Sequence, residues 1–167
     1  MARFDKEFAE FFSARFDYAR RTAYAMCYDW AEAEELAQNA FVRLYSHWPR
    51  VVHTNPDAYL RTVVTRLFLD TRRRGRKREH LVAELPEQLF VDNHDAAEDR
   101  PSLIAALQKV PPKQRAVLVL RIVQDLSVEQ VAEALRCSTG TVKSQTARGL
   151  KTLREAYEQV TAASRCA

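Results

Sequence analysis

The chain has 167 residues, enough for one domain or two small ones, and 47% of them are hydrophobic, so a chain that is disordered throughout is excluded. Only three glycines occur, and runs that alternate Val, Ile or Thr with polar residues are absent, which favours an all-helical fold. The net charge of +4 is modest and gains meaning only from where the charges lie along the chain.

Three cysteines lie far apart without CxxC spacing, which argues against a disulfide framework or a zinc site and favours a reducing cytoplasm. The N-terminal residues carry charges through their apolar pattern, unlike a signal peptide. No apolar run approaches the roughly 20 residues that span a bilayer. We therefore expect a cytoplasmic protein without membrane insertion.

The N-terminal third predicts two helices. The first carries five phenylalanines at helical spacing, for which a core role is expected, and runs on through Tyr24. Asp29 is the expected N-cap of the second. The inward stripe of that second helix is Ala33, Leu36, Ala37, Ala40, Phe41 and Leu44, and its polar face holds Glu34, Glu35, Gln38, Asn39, Val42 and Arg43.

Residues 46–55 break this periodicity and are expected to form an irregular loop that contains Trp48 and His53. Asn55 and Pro56 then suit the cap and first residue of a third helix. Its expected inward residues are Leu60, Val63, Val64, Leu67 and Thr71, and its outward residues are Tyr59, Thr62, Arg66 and Arg73.

The third helix ends in a basic run, residues 72–78, with six cations in seven positions. Residues 79–99 then contain seven acids and no Lys or Arg, which indicates an acidic, flexible linker. We therefore expect two small helical domains, at residues 1–78 and 101–160, joined by a linker at 79–100 and followed by a tail at 161–167.

In the second domain the sequence predicts a short helix that ends at Val110, a break at two prolines, and a helix from Pro112 to about Gln124. Residues 126–153 then read as a helix-turn-helix. Ser127 and Gln130 form an expected capping box, and Thr139 is the expected cap of the second helix. Expected inward residues are Val128, Val131, Ala132 and Leu135, then Val142, Thr146, Leu150 and Leu153; the outward face holds Thr141, Lys143, Ser144, Gln145, Arg148 and Lys151.

This outward face contains hydroxyls, an amide and three cations, and no acid occurs from residue 138 to 154. Such a face suits the DNA major groove, although an ordinary helical hairpin with a solvated basic face is the alternative. The basic run suits phosphate contact, and Tyr59, Trp48 and Arg66 together suit unpaired bases. No HExxH, GxSxG or glycine-rich phosphate loop occurs, so we expect no enzyme activity, metal or cofactor.

Taken together, the chain resembles a bacterial sigma factor of the extracytoplasmic-function class, which contains only the second and fourth conserved regions. Residues 32–45 resemble the motif DAEDLxQExFxRxW, and residues 56–73 resemble PxxWLxxIxxNxxxDxxR. Residues 110–154 resemble the region-four pattern that ends in GTVKSxxxRxxxxLR. The resemblance covers about residues 5–158 and implies an initiation subunit that binds core RNA polymerase and directs it to promoters.

The resemblance also assigns residues to partners. Contact with the clamp helices of the largest polymerase subunit is implied for Glu34, Glu35, Gln38, Asn39 and Arg43. Binding of the −10 element is implied for Trp48, His53, Asn55, Tyr59, Thr62, Arg66, Arg72, Arg73, Arg74 and Arg76. Binding of the −35 element is implied for Thr139, Thr141, Lys143, Ser144, Gln145 and Arg148. The flap of the second-largest subunit is a further implied partner, and members of the family are commonly held inactive by an anti-sigma protein.

Four positions depart from the family pattern. Asn39 replaces an acid, Arg66 replaces a frequent Asn, and Gln145 replaces a frequent Arg. Arg136 stands where Gly is common before the turn, so a left-handed backbone there is expected to be strained. Two other functions stay open on sequence: a helix-turn-helix regulator that acts without polymerase, and a helical adaptor that binds no nucleic acid.

Overall fold

The computed structural model describes residues 2–75 and 100–167, and all regular structure in these ranges is helical. The chain divides into two compact units. The first contains α1 (Ala2–Cys27), α2 (Trp30–Val51) and α3 (Pro56–Gly75). The second contains α4 (Arg100–Lys109), α5 (Pro112–Leu118), a π-helical turn (Val119–Val123), α6 (Val128–Leu135) and α7 (Thr139–Arg165). The predicted all-α class with two helical domains is confirmed. The predicted acidic linker at residues 79–99 and the cations at 76–78 lie outside the described residues.

In the first unit, α2 packs against both α1 and α3. Asp29 caps α2 as predicted, because its carboxylate accepts hydrogen bonds from the backbone N–H groups of Ala31 and Glu32 at 2.9 and 3.2 Å. The predicted inward stripe of α2 is buried throughout. The phenylalanines of α1 differ in burial: Phe8 and Phe11 pack on α2, whereas Phe4 and Phe12 are exposed. The expected core role is therefore wrong for Phe4 and Phe12.

The loop expected at residues 46–55 is wrong over its first half, because α2 continues to Val51 with Pro49 in its last turn. Trp48 and Val51 extend the buried stripe of the helix, and this packing outweighs the lost hydrogen bond at proline. Only residues 52–55 connect α2 to α3. Asn55 caps α3 as predicted, since its side chain accepts from the Ala58 N–H at 3.0 Å.

On α3, Leu60, Val63 and Val64 are buried as predicted. Thr71, which was also expected to point inward, is exposed, and Phe68 is the buried side chain near the end of the helix instead. The ring of Phe68 is therefore the last core contact before the basic run begins.

In the second unit, α7 packs against α4, α5 and α6. The helix predicted from Pro112 to Gln124 is present, with its last five residues in a π-helical turn. Gly149 lies where α7 approaches α5, so that a Cβ atom there would lie 3.1 Å from Leu118 Cδ1. The neighbouring Leu150, expected to point inward, is 40% exposed. Helix α7 continues to Arg165, past residue 160 where the sequence placed the end of the domain.

Candidate promoter and polymerase interfaces

The helix-turn-helix is held by local hydrogen bonds. Ser127 and Gln130 form the predicted capping box, with reciprocal bonds of 3.1 and 2.9 Å. Arg136 ends α6 with φ 54° and ψ 49°, the left-handed conformation expected from its place in the turn. Ser138, rather than Thr139, is the N-cap of α7, because its hydroxyl accepts from the Thr141 N–H at 3.1 Å. The turn therefore sets the start of α7 one residue earlier than expected.

The six predicted −35 residues all lie in the first three turns of α7. Thr139, Lys143, Ser144 and Arg148 are exposed, and Thr141 and Gln145 are half-buried. Val142, which is fully buried, fixes the opposite side of the same turn to the core. The face is long, free of acids and backed by a packed helix, which are the properties needed to enter a major groove.

The five residues predicted to contact polymerase all lie exposed on one side of α2: Glu34, Glu35, Gln38, Asn39 and Arg43. Three of them, Glu35, Asn39 and Arg43, line a groove of about 930 Å³ between α2 and α3. The groove also contains Val42, which is 70% exposed, and Asp70 and Arg74 from α3. Sequence reasoning did not select Val42, although an apolar residue on the polar face of a helix was a usable signal.

The residues predicted for the −10 element fall into two groups. Tyr59, Thr62 and Arg66 lie half-buried along one side of α3, and His53 and Asn55 are exposed just before that helix. The rings of Tyr59 and His47 are 5.8 Å apart.

Trp48 does not belong with them. Its ring is 3% exposed and packs against Phe8 and Phe11 at centroid distances of 5.3 and 5.2 Å. The expectation that Trp48 stacks on bases is therefore wrong, because no face of the indole is free.

The basic end of α3 is divided in its roles. Arg72 pairs with Glu32 at 3.1 Å and lies over the Phe68 ring, 5.1 Å from its centroid. The expectation that its guanidinium is available to DNA is therefore wrong. Arg73 is 78% exposed and pairs with Asp70 on its own helix at 3.2 Å. Arg74 is exposed, and Arg76 lies outside the described residues.

An apolar cleft of about 340 Å³ in the second unit is lined by Leu103, Leu150, Leu153, Arg154 and Tyr157. Leu103 and Leu150 are 42% and 40% exposed. Sequence reasoning missed this cleft because it placed Leu150 in the core.

The buried thiol of Cys27 is a poor nucleophile at neutral pH, because burial raises its pKa to about 12 and keeps it protonated. Within the described residues, no three His, Cys, Asp or Glu side chains are grouped so as to hold a metal ion. The helices of this part of the chain also include none that is long and apolar enough to cross a membrane.

Comparison with known proteins assigns both units. The Sigma-70 region 2 family matches residues 11–78, and the Sigma-70, region 4 family matches residues 100–153. The RNA polymerase sigma-E factor of Streptomyces avermitilis is 39% identical over 157 residues, which cover 91% of this chain and 86% of that protein. The ECF RNA polymerase sigma factor SigL of Mycobacterium tuberculosis is 30% identical over 147 residues, or 84% and 82% of the two chains.

The fold also occurs in a solved structure, the sigma factor RpoE in complex with the anti-sigma factor NepR from Bartonella quintana. The TM-score is 0.70 at 22% identity, and the match covers 92% of this chain and 98% of that one.

A helix-turn-helix with an acid-free outer face, joined in one chain to a second helical unit with a basic end, defines a DNA-binding transcription protein. The chain belongs to the extracytoplasmic-function sigma factors of RNA polymerase. Its function is promoter-directed initiation of transcription by that enzyme. A regulator that acts without polymerase is not favoured, because the first unit matches sigma region 2 rather than a sensing or dimerisation domain.

Proposed function

We propose that this sigma factor docks on core RNA polymerase through α2, captures the −10 element with α3 and reads the −35 element with α7. The observation that carries the proposal is the outer face of α7, where Lys143, Ser144 and Arg148 project from a helix whose other side is packed. The protein acts in the cytoplasm as a regulatory subunit and catalyses no reaction itself.

Docking through α2 is supported by exposed polar side chains on one side of a helix that packs against α1 and α3, namely Glu34, Glu35, Gln38, Asn39 and Arg43. The proposed partner is the clamp helices of the largest subunit, and the exposed Val42 beside these residues supplies an apolar contact. A mixed polar rim around an apolar centre is typical of protein interfaces that form and dissociate.

The docking surface can be tested with the double change Glu35→Lys and Gln38→Ala. We expect association with core polymerase to weaken about tenfold, which corresponds to about 1.4 kcal/mol. Glu10→Lys, at an exposed position of α1, makes the same charge change away from the proposed surface and serves as the control. Unchanged co-elution of the double variant with core enzyme contradicts the assignment.

The apolar cleft between α4 and α7 is the proposed contact for the flap of the second-largest subunit. The support for this contact is that Leu103 and Leu150, two large apolar side chains lining the cleft, are exposed to water. Neighbouring exposed apolar side chains often mark a surface that binds another protein. Leu150→Asp is expected to leave the fold intact and to weaken capture of an isolated flap fragment.

Capture of the −10 element is proposed for His53, Asn55, Tyr59, Thr62 and Arg66. Extruding a base from the duplex costs a few kcal/mol, which ring stacking and hydrogen bonds in a shaped pocket can offset. Tyr59 and His47 provide neighbouring rings on this side of α3. Arg73 and Arg74, with Arg76 beyond the described residues, are proposed to contact phosphates of the adjacent duplex.

Reading of the −35 element is proposed for Thr139, Thr141, Lys143, Ser144, Gln145 and Arg148. A guanidinium at Arg148 can reach a guanine with two hydrogen bonds, and Gln145 can address adenine. Since the two units share one chain, binding of one raises the effective concentration of the other at the promoter. The acidic residues 79–99 are proposed to follow the polymerase cleft, where their charge resembles that of nucleic acid.

Control by an anti-sigma protein is proposed from the complex of the similar sigma factor RpoE with NepR. Such a protein would need to cover the α2 groove or the face of α7, and the exposed Val42 and Leu150 are apolar contacts it can use.

The proposal is tested by in vitro transcription with purified core polymerase and a promoter library at two salt concentrations. Transcription is expected only when this chain is added. Arg148→Ala should cost about 1–3 kcal/mol at one −35 base and relax preference there. Arg73→Ala should weaken all promoters alike and lower the salt slope by about one counterion. If Arg148→Ala shifts every promoter equally, the assignment of base reading to α7 fails.

A further inference from the structure

An ion pair joins the start of α2 to the end of α3. Glu32, in the first turn of α2, accepts a hydrogen bond from the Arg72 guanidinium at 3.1 Å. Both side chains are mostly buried, with 20% of Arg72 and 22% of Glu32 exposed. The guanidinium of Arg72 also lies over the fully buried ring of Phe68. Arg72 is therefore held from two sides.

This arrangement gives the cations at the end of α3 different environments: Arg72 is held toward α2, and Arg73 and Arg74 are exposed. Successive residues of a helix point about 100° apart, so fixing Arg72 toward α2 also fixes the directions of Arg73 and Arg74. Both of these are exposed, and Arg73 keeps 78% of its side-chain surface. The contact with Glu32, 40 residues away in the sequence, thus joins the buried Phe68 ring in holding the last turn of α3 against α2.

The pair is poorly suited to a purely stabilising role. Only one carboxylate oxygen of Glu32 binds Arg72, and the other oxygen, Oε1, is buried without a hydrogen-bond partner. Buried ion pairs often contribute little net stability, because desolvation offsets their attraction, and incomplete hydrogen bonding reduces the gain further. A role in orientation accounts for the pair better.

We propose that Glu32 is a positioning residue for promoter binding, which holds Arg72 against Phe68 and thereby directs Arg73 and Arg74 toward the phosphates of the DNA. The inference rests on the proposed phosphate contacts of Arg73 and Arg74. Arg72 itself contacts no phosphate, because reaching one requires leaving both the carboxylate and the ring.

The test compares Glu32→Gln with the double change Glu32→Gln and Arg72→Gln, each assembled with core polymerase. Binding to a promoter fragment is measured over a series of salt concentrations. Glu32→Gln keeps the size of the side chain but leaves Arg72 without a carboxylate, so we expect about fivefold weaker binding and a salt slope lowered by about one phosphate contact. The two amides of the double variant can bond to each other and should return the slope toward wild type.

Glu10→Gln, at an exposed position of α1, gives the same change in net charge and should leave fragment binding unchanged. Helicity, thermal unfolding and affinity for core polymerase are followed for every variant. A double variant that folds and stays as weak as Glu32→Gln overturns the proposal, as does a Glu32→Gln variant with a wild-type or steeper slope.

The double change Arg73→Ala and Arg74→Ala separates this inference from the function on which it rests. If this variant keeps the wild-type salt slope, the proposed phosphate contacts are wrong. If its slope falls while that of Glu32→Gln does not, the contacts stand and only the positioning role of Glu32 is overturned.

Discussion

The left-handed backbone of Arg136 provides a test of how the helix-turn-helix is held together. A residue with a Cβ atom is disfavoured at φ 54° and ψ 49° by about 1–2 kcal/mol relative to the right-handed helix, and glycine is not. Arg136→Gly removes this strain but adds about 0.5–1 kcal/mol of backbone entropy to the unfolded chain. The net expectation is a gain of about 0.5–1 kcal/mol in the free energy of unfolding of the second unit.

The side chain of Arg136 is exposed, so little packing is lost in the substitution. Its backbone N–H, which donates to the carbonyl oxygens of Ala132 and Glu133, is unchanged. Arg136→Ala is the matched control, because it removes the same side chain and keeps the Cβ atom. We expect its stability to stay near that of wild type.

The free energy of unfolding of the second unit is measured by urea denaturation of the full chain, with hydrogen exchange in peptides from α6 and α7 as the probe. For a unit of this size, about 1 kcal/mol corresponds to roughly 4–8 °C in midpoint temperature. Reading of the −35 element should persist, since no residue on the outer face of α7 changes. A loss of stability in Arg136→Gly, or an equal gain in Arg136→Ala, would falsify the assignment of strain to the backbone.

Three further outcomes are expected. Gly149→Ala should destabilise the second unit by about 1 kcal/mol in urea denaturation, because its Cβ would press on Leu118 at 3.1 Å and overpacking outweighs the gain in helix propensity; Gly140→Ala, whose Cβ meets only Ser138 Oγ at 3.8 Å, should cost nothing. Trp48→Phe should lower stability by about 1 kcal/mol and leave promoter opening unchanged, since the buried indole N–H has no hydrogen-bond partner to lose; impaired opening at normal stability contradicts its core role. Iodoacetamide at pH 8 should label the exposed Cys166 and spare Cys27, whose pKa of about 12 keeps the buried thiol protonated; mass spectrometry decides, and equal labelling refutes the burial of Cys27.

Local signals in the sequence were sufficient for three of the four predicted helix N-caps, the exception being α7, which Ser138 caps instead of Thr139. Asp29, Asn55 and Ser127 each bond to backbone groups within three residues, so the sequence around them contains both partners. The solvent-facing residues of α7 follow from helical periodicity in the same way. The left-handed backbone at Arg136 was expected from the family resemblance, which places this residue where glycine is common.

Long-range packing decided the positions that the sequence left open or suggested wrongly. Helix α2 continues through Pro49 because Trp48 finds a pocket formed by Phe8 and Phe11 of another helix. Gly149 faces inward and Leu150 outward because α5 crosses α7 closely at that point. Arg72 is largely buried in an ion pair because its partner, Glu32, lies 40 residues away in the sequence on a helix that packs beside it.

The sequence by itself determined the helical class, most of the N-caps and the exposed polar face of α7, since these depend on neighbours within one or two turns of a helix. Tertiary structure alone decided which aromatic rings are buried and which cations at the end of α3 are exposed. The physical reason is that burial and ion pairing depend on the helix that packs opposite, and its distance and angle arise from contacts between residues far apart in the chain.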